Sequence, residues 1–105
     1  MTPLILAVLS DDLERARRLI DEDGADVNEQ VNGDFSTALQ AAACCSSLEV
    51  VELLIEKGAD VNQQGGFYGN ALQTAVVAED LKVAKFLVDN GANVNQQGGF
   101  YDNAI

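Results

Sequence analysis

Apolar residues recur along the chain at helical spacing, in two kinds of segment that alternate. The longer segments carry apolar residues three, six and seven places after a first leucine, with charged residues between them. These first leucines are Leu13, Leu48 and Leu81. The shorter segments are mostly apolar or small, and they contain Leu4, Leu39 and Leu72. The pattern predicts helix pairs, each with a short helix of about two turns followed by a longer amphipathic helix.

Polar residues that cap helices stand before both kinds of segment. Side-chain oxygens of Ser, Thr, Asp and Asn accept hydrogen bonds from the free N–H groups of a first helical turn. Such residues precede the short helices at Thr2, Thr37 and Asn70, and the long helices at Asp12, Ser47 and Asp80. Gln40 and Gln73 lie three residues after their caps, which predicts a reciprocal capping box. Local sequence therefore predicts where all six helices begin.

Glycines mark the ends of the long helices and the turns that follow. A glycine in the left-handed conformation is a frequent end of a helix. The long segments are followed by Gly24, Gly58 and Gly91. After an Ala-Asp/Asn-Val-Asn or equivalent stretch come the pairs Asn32-Gly33, Gly65-Gly66 and Gly98-Gly99. Such pairs are typical of β-hairpin turns, so the predicted unit is turn, short helix, longer helix and extended return.

This unit is repeated. Twelve of the fifteen residues at 58–72 return at 91–105, an offset of 33 residues (91 − 58), and a looser copy begins at Gly24. Self-similarity at this period is the signature of a stacked solenoid. We therefore interpret residues 1–105 as one stack. It consists of repeat 1 (1–31, incomplete at its N-terminus), repeat 2 (32–64), repeat 3 (65–97) and the start of repeat 4 (98–105).

Composition and charge exclude several classes of partner. The chain has 105 residues, of which 48% are hydrophobic, enough to build a core. Seventeen acidic against six basic residues give a net charge of −11, which should repel nucleic acid and anionic lipid. The apolar run at 4–9 is too short for a membrane span, and no basic residue precedes it. We therefore expect no signal peptide and no membrane partner.

The two cysteines bear on the compartment. Cys44 and Cys45 are neighbours in the sequence, and neighbours on a helix point about 100° apart, so we do not expect them to pair with each other. The chain has no third cysteine and no Asn-x-Ser/Thr sequence. Unpaired thiols and the absence of glycosylation sites favour an intracellular protein, cytoplasmic or nuclear.

Catalytic and metal-binding chemistry has little support. The chain contains no histidine, so its serines and cysteines lack an imidazole base. Zinc would need three or four Cys, His or carboxylate ligands, and the adjacent cysteines supply two. The stretch Asp60-x-Asn62-x-Gln64-Gly65 is similar to the start of a calcium loop, but Ala71 stands where the bidentate Glu belongs. We expect no enzyme, no metal and no cofactor, and we interpret this stretch as a strand of a hairpin.

Taken together, these motifs resemble the ankyrin repeat. The likeness is carried by Thr2-Pro3-Leu4-x-x-Ala7, by the run at 48–54 and by Gly58-Ala59-Asp60-Val61-Asn62, and it covers essentially the whole chain. The stretch at 65–73 is similar to long ankyrin arrays in fungal signalling proteins. The resemblance implies an all-α helical solenoid, with short β-hairpin turns between the helix pairs.

Two sets of positions depart from the family pattern. Where the family usually has histidine after the opening leucine, this chain has Ile5, Gln40 and Gln73. Where it usually has glycine between the two helices, this chain has Asp11, Ser46 and Glu79. We expect the turn between the helices to be locally less stable for that reason.

Candidate partner-binding residues lie in the hairpin turns and at the ends of the short helices, which the resemblance places along a concave surface. The aromatic candidates are Phe35, Phe67, Tyr68, Phe100 and Tyr101. The helix-end candidates are Cys44, Cys45 and Val77, with Leu9, Ser10 and Ala78 beside them. Aromatic side chains are frequent anchors of interfaces. The rings could equally pack on the next turn and stiffen the stack, and the cysteines could be packing residues.

The function that the resemblance implies is passive binding of a partner protein on a preformed concave surface. The acidic surface favours a basic partner. The alternative is a structural spacer, or a self-associating fragment of a larger signalling protein. A run at one end looks uncovered, and it comprises Ile5, Leu6, Val8 and Leu9. Because terminal repeats normally carry a polar outer face, we expect a piece of a longer array, or end-to-end stacking of copies.

Overall fold

The structure, a computed structural model, describes residues 2–33, 35–45 and 47–94. Within these residues the chain forms three pairs of α-helices. They are α1 (Pro3–Leu9), α2 (Leu13–Asp21), α3 (Ala38–Cys45), α4 (Leu48–Glu56), α5 (Ala71–Val77) and α6 (Leu81–Asp89). The all-α fold and all the predicted helix starts are confirmed. The predictions on Gly98-Gly99, Phe100 and Tyr101 lie outside the described residues.

Side-chain caps fix most of these helix starts. Oγ1 of Thr2 accepts a hydrogen bond from the N–H of Ile5 at 3.1 Å. The same kind of cap is made by Asp12, Thr37, Asn70 and Asp80. The predicted capping box differs in detail at α3. There Oε1 of Gln40 accepts from the N–H of Ser36, one residue before the cap, at 2.7 Å.

Residues with positive φ end and join the helices. The glycines after the long helices have φ values of 71°, 97° and 98°, as predicted, at Gly24, Gly58 and Gly91. Asp11 and Glu79, in the turns between short and long helices, have φ values of 54° and 61°. A Cβ atom is strained in this region, which supplies a physical basis for the expected weakness of these turns. Ser46, the third such position, lies outside the described residues.

The helix pairs stack side by side around one core. The short helices form one row, in which α3 packs between α1 and α5. The long helices form a second row, in which α4 packs between α2 and α6. Small side chains let the short helices approach closely, and the fully buried ones include Ala7, Ala42 and Ala75. Leu39, Leu54 and Leu72 belong to the core and are at most 2% exposed.

The first short helix is better covered than its sequence suggests. Ile5 and Val8 are 3% and 0% exposed, so the expectation that they lie uncovered was wrong. The reason is that both α2 and α3 pack against α1. Leu9 is half-buried, and Leu6 is 53% exposed. The apolar surface at this end of the stack is therefore much smaller than the four-residue run predicts.

The outer face of α2 is charged. Arg15 and Arg18 are exposed. They stand at the positions that Val50 and Leu53 occupy in α4, an offset of 35 (50 − 15), where both side chains are at most 2% exposed. Repeat 1 thus has the polar outer face that we expected to be missing, and it lies on the long helix rather than on the short one.

The segments that connect the pairs are turns. In the described residues, the predicted hairpins reduce to one isolated antiparallel bridge between Gly65 and Gly69, with a backbone bond of 2.8 Å. The equivalent turn at 31–36 is closed by the N–H of Val31, which donates to the carbonyl of Ser36 at 2.8 Å. These two turns, at 31–36 and 65–69, hold the aromatic candidates that the structure describes.

Two asparagines join successive repeats in the same way. Nδ2 of Asn28 donates to the carbonyl of Gly58 at 3.0 Å, and its Oδ1 accepts from the N–H of Asp60 at 2.7 Å. Asn62 makes the equivalent bonds one repeat later, at 3.0 and 2.8 Å, with Gly91 and Asn93. Each asparagine therefore satisfies backbone groups just beyond a long helix of the next repeat and holds the two repeats in register.

Other side chains also form hydrogen bonds with the backbone of the next repeat. Nε2 of Gln40, at one of the positions where the family usually has histidine, donates to the carbonyl of Gly65 at 3.0 Å. Oδ1 of Asp11 accepts from the N–H of Ser47, at the start of α4, at 2.9 Å. In these bonds, as in those of the asparagines, the side chain belongs to the earlier repeat and the backbone group to the later one.

Candidate partner-binding surface

Three aromatic side chains meet at the tips of the two described turns. The rings of Phe35 and Tyr68 are stacked, with centroids 6.2 Å apart and planes inclined by 30°. The ring of Phe67 lies against Tyr68, at 5.0 Å and 41°. We call Phe35, Phe67 and Tyr68 the turn patch. The other two aromatic candidates, Phe100 and Tyr101, lie outside the described residues.

The members of the turn patch differ in how much of each ring is exposed. Phe35 and Tyr68 are half-buried and occupy equivalent positions, each three residues before a short helix (38 − 35 and 71 − 68). Stacked ring pairs contribute about 0.5–1.5 kcal/mol beyond their burial, so this pair stiffens the row of turns. Phe67 is 39% exposed. It is the ring of the patch that presents the most surface to a partner.

Close contact between the two turns sets the position of the rings. At Gly65, a Cβ atom would lie 2.7 Å from Oγ of Ser36, closer than real Cβ atoms come. Nε2 of Gln30 donates to the carbonyl of Gln64 at 2.8 Å in the same region. A side chain at position 65 would push the tips apart, so the stacked ring pair depends on this glycine.

A polar cleft of about 340 Å³ opens between the two turns. It is lined by Gln30, Val31, Asn32, Gly33, Ser36, Gly65 and Gly66. Backbone and amide groups make up most of this lining, so the cleft suits hydrogen-bonding groups of a partner better than an apolar anchor.

The ends of the short helices form a second set of candidates. Equivalent positions at or near the ends of α1, α3 and α5 are occupied by Leu9, Cys44 and Val77. Leu9 and Cys44 are half-buried, and Val77 is 39% exposed. The next residues in the chain, Ser10, Cys45 and Ala78, are exposed. We call Cys44, Cys45 and Val77 the helix-end patch. It crosses the stack because α1, α3 and α5 are packed neighbours.

Cys45 is a free thiol that stays protonated at neutral pH. Partial desolvation, together with the hydrogen bond and charge of Cys44, raises the pKa of Cys45 to about 11. The thiolate is the reactive form of cysteine, and very little of it exists four pH units below the pKa. At neutral pH, Cys45 therefore offers a small apolar contact surface and not a nucleophile.

The two patches are separate. Phe35 precedes α3, and Cys44 and Cys45 end it. Because an α-helix rises 1.5 Å per residue, the eight residues of α3 place the patches about 12 Å apart. The residues between them, 38–43, are all buried. The structure therefore groups the three described aromatic candidates with one another and places the helix-end candidates on two neighbouring helices. A partner that touches both patches must span this distance.

Acidic residues border the helix-end patch. Directly after the ends of α1 and α5 come Asp11, Asp12, Glu79 and Asp80. Asp12 and Asp80 cap the long helices, and Asp11 accepts a bond from repeat 2. Three of the four residues are exposed, so this edge adds to the field of a chain with net charge −11.

The sequence motif that is similar to a calcium loop is a turn, and the interpretation as a hairpin strand was wrong, because its polar side chains bond to backbone groups where a strand would pair. Oδ1 of Asp60 accepts from the N–H of Asn62 at 2.9 Å, and the amide of Asn62 bonds to the next repeat. Within residues 2–33, 35–45 and 47–94, no group of three or more His, Cys, Asp or Glu side chains is placed to hold a metal ion. In the same residues, no helix has both the length and the apolar character needed to cross a membrane.

The helical pattern of α6 misled the sequence analysis about its buried side. Leu87 is 0% exposed as expected, but Leu81 is 77% exposed and Val88 is 39% exposed. The signal that was missed lies in a position-by-position comparison of the three long helices. A residue is buried only if another element covers its side of the helix.

Comparison with known proteins gives a family match and partial relatives. The family model for ankyrin repeats in three copies matches residues 4–98. Alpha-latrocrustotoxin-Lt1a of Latrodectus tredecimguttatus is 38% identical over 63 residues, which is 60% of this chain and 4% of the toxin. Ankyrin repeat and SAM domain-containing protein 6 of Rattus norvegicus is 48% identical over 48 residues, 46% of this chain and 5% of that protein. The chain thus spans about one-twentieth of the length of these curated relatives.

Proposed function

The chain belongs to the ankyrin-repeat family, whose repeats are generally protein–protein interaction modules, and on that premise we propose that it binds a partner protein through the turn patch and the helix-end patch. The observation that carries the proposal is Phe67, a large apolar ring that is 39% exposed although two neighbouring rings of the same turns are half-buried. An exposed aromatic ring on a rigid support is a frequent anchor of an interface.

Binding of this kind needs no chemical step. The rings are held by the stacked pair, and the turns are held by bonds such as that from Gln40 to Gly65, so little order has to be gained when a partner arrives. An extended segment or one helix of the partner would suffice to span the roughly 12 Å between the patches. We propose a binding module without catalytic activity, in an intracellular compartment that keeps Cys44 and Cys45 reduced.

The charge of the chain favours a basic partner. Asp11, Asp12 and Glu79 are exposed beside the helix-end patch, within a chain of net charge −11. Opposite charge at the rim of an interface mainly speeds association and adds specificity, and salt screens it. We expect the association rate to fall as salt is raised from about 50 to 500 mM, while the dissociation rate changes little.

Capture from lysate with matched variants tests the proposal. The intact chain, Phe67→Ala and Phe35→Ala are each immobilised, and the captured proteins are quantified by mass spectrometry. A true partner is depleted about tenfold or more by Phe67→Ala, because truncation of an interface anchor costs about 2 kcal/mol or more. The thermal unfolding of the Phe67→Ala variant should stay close to that of the intact chain, because the ring of Phe67 is 39% exposed.

The control separates contact from packing. Phe35→Ala removes a half-buried ring of the stacked pair, so we expect it to lower the thermal stability. If no captured protein is sensitive to Phe67→Ala, or if Phe67→Ala unfolds the stack, the turn patch is a packing feature and the proposal fails.

Self-association of copies end to end is the alternative from the sequence. It would place α2 of one copy against α6 of the next, as neighbouring long helices lie within the stack. The exposed Arg15 and Arg18 on α2 oppose this, because they would be buried where the stack itself places Val50 and Leu53. We therefore favour a heterologous partner, and sedimentation over a concentration series distinguishes the two.

A further inference from the structure

The long helix α6 exposes an apolar stripe. Leu81 is 77% exposed, Val88 is 39% exposed, and Ala84 between them is half-buried. These residues lie three and seven positions apart and therefore share one face of the helix. The stripe is separate from the turn patch and the helix-end patch, which lie on the turns and the short helices.

The equivalent stripe of the preceding repeat is covered. At an offset of 33 (81 − 48), the same positions of α4 hold Leu48, Val51 and Ile55. Val51 is 0% exposed, and the other two are half-buried in the core. The difference between the two helices is that α4 has a long helix on each side, α2 and α6. The stripe of α6 is thus the face on which the stack places a long helix.

The way in which α4 covers α2 shows what kind of helix fits. The side of α4 that corresponds to the charged face of α2 carries Val50 and Leu53, followed by Lys57. Val50 and Leu53 are at most 2% exposed. Nζ of Lys57 lies 2.8 Å from Oδ1 of Asp21 on α2. The covering helix therefore presents two apolar residues three positions apart, and a basic residue four positions further on.

The helix α6 offers the matching acid. Asp89 stands at the position of Asp21, an offset of 68 (89 − 21), and it is exposed. It pairs with Lys85 of its own helix at 3.5 Å, and both side chains are largely exposed. An exposed pair of this type is weak, so a basic residue of an incoming helix can replace it.

We propose that the stripe of Leu81, Ala84 and Val88, together with Asp89, docks an amphipathic helix of a partner protein. That helix carries apolar residues at positions i and i + 3 and Lys or Arg at i + 7, the arrangement of Val50, Leu53 and Lys57. The mode is a helix laid on an apolar face, with the ion pair setting its register.

A second copy of this chain does not have the required helix exposed. The corresponding positions of α2 are Arg15, Arg18 and Glu22, all exposed. Against the stripe they would place two arginines on apolar side chains and Glu22 near Asp89, a like-charge contact. The occupant we infer is therefore a helix of different sequence, with a basic residue at its third contact position.

The test uses a fluorescent, lactam-bridged helical peptide in an alanine and glutamine background. It carries Val, Leu and Lys at the spacing of Val50, Leu53 and Lys57, and its binding to the full chain is followed by anisotropy. We expect Leu81→Ser to weaken binding about tenfold or more, because it removes an apolar contact. Asp89→Lys should weaken binding too, and a peptide with Asp in place of its Lys should recover affinity for that variant.

Matched controls keep this test distinct from that of the partner-binding patches. Leu6→Ser removes an exposed apolar residue at the other end of the stack and should leave peptide affinity unchanged, as should Phe67→Ala. All substituted residues are exposed, so circular dichroism should show folded variants. Absence of peptide binding, binding insensitive to Leu81→Ser, or no recovery in the charge exchange would each overturn the proposal.

Discussion

At the scale of single residues, the weakest points of the chain are the turns between short and long helices. Asp11 and Glu79 have φ values of 54° and 61°. For a residue with a Cβ atom, this conformation costs about 1–2 kcal/mol. Asp11 also accepts the 2.9 Å bond from Ser47 of the next repeat. This bond offsets part of the strain at Asp11.

Glu79→Gly should stabilise the chain. Glycine adopts positive φ without strain, but it also has greater conformational freedom in the unfolded chain. The relief of strain exceeds this entropic cost by about 0.5–1 kcal/mol. We expect a rise in Tm of about 2–6 °C, measured by circular dichroism. Glu79→Ala, which keeps the Cβ atom, is the control and should give no comparable rise.

Asp11→Gly completes the comparison. It relieves the same strain but removes the hydrogen bond to Ser47, which contributes about 0.5–1.5 kcal/mol. We expect its Tm to stay within about 2 °C of that of the intact chain, clearly below that of Glu79→Gly. Equal gains from the two substitutions would show that the bond from Asp11 to Ser47 contributes nothing.

At the scale of elements, the helices were predictable and the joints between repeats were not. Helix starts depend on caps such as Thr2, whose partner Ile5 is three residues away and visible in the local sequence. The bond between Asp60 and Asn28 joins residues 32 apart, so it exists only once the repeats are stacked. We overestimated the pairing of extended segments in the turns. Some backbone groups that would pair strands bond to side chains instead, as the carbonyl of Gly65 does when it accepts from Gln40.

Removing either asparagine joint should loosen one identified backbone amide. Asn28→Ala removes the acceptor of the Asp60 N–H, and Asn62→Ala removes that of the Asn93 N–H, at 2.7 and 2.8 Å in the intact chain. By hydrogen exchange, we expect faster exchange at the joint that was removed and unchanged exchange at the other. The free energy of unfolding of each variant should fall by about 1–3 kcal/mol, since two hydrogen bonds are lost. Faster exchange at both joints in either variant would mean that the two joints do not act locally.

At the scale of the whole molecule, the two outer faces of the long-helix row differ. Arg15 and Arg18 make one face charged, whereas Leu81 and Val88 make the other apolar. From the sequence we expected an uncovered apolar run on α1, and the spacing in α6 did not distinguish its covered side from its exposed side. Spacing shows that a helix has an apolar side, but not whether another helix covers that side.

Exchanging the charged face for an apolar one should create a polymer. The triple variant Arg15→Val, Arg18→Leu and Glu22→Lys gives α2 the contact residues of α4 and therefore a fit to α6 of another copy. A contact between two different faces leaves a free face at each end unless the copies close into a ring, so sedimentation velocity should show assemblies that grow with concentration. Adding Leu81→Ser should restore the monomer. Association that persists in this fourfold variant would show that α6 is not the receiving face.

The candidate surface was predictable in part. Phe35, Phe67 and Tyr68 were identified from their place in the turns, and the structure brings their rings together. Which ring supports and which is exposed depends on how one turn packs on the next, and that is absent from the sequence of either turn. The separation of this patch from Cys44 and Val77 also follows only from the length and burial of α3.

The direction of the bonds between repeats bears on how the protein is made. Asn28, Gln40 and Asn62 each supply a side chain to backbone atoms that are translated later. Translation proceeds from the N-terminus, at about 5–20 residues per second. Each repeat that leaves the ribosome therefore meets a neighbour that already holds the side chains its own backbone requires. The formation of these hydrogen bonds therefore does not have to wait for a repeat that has yet to be synthesised.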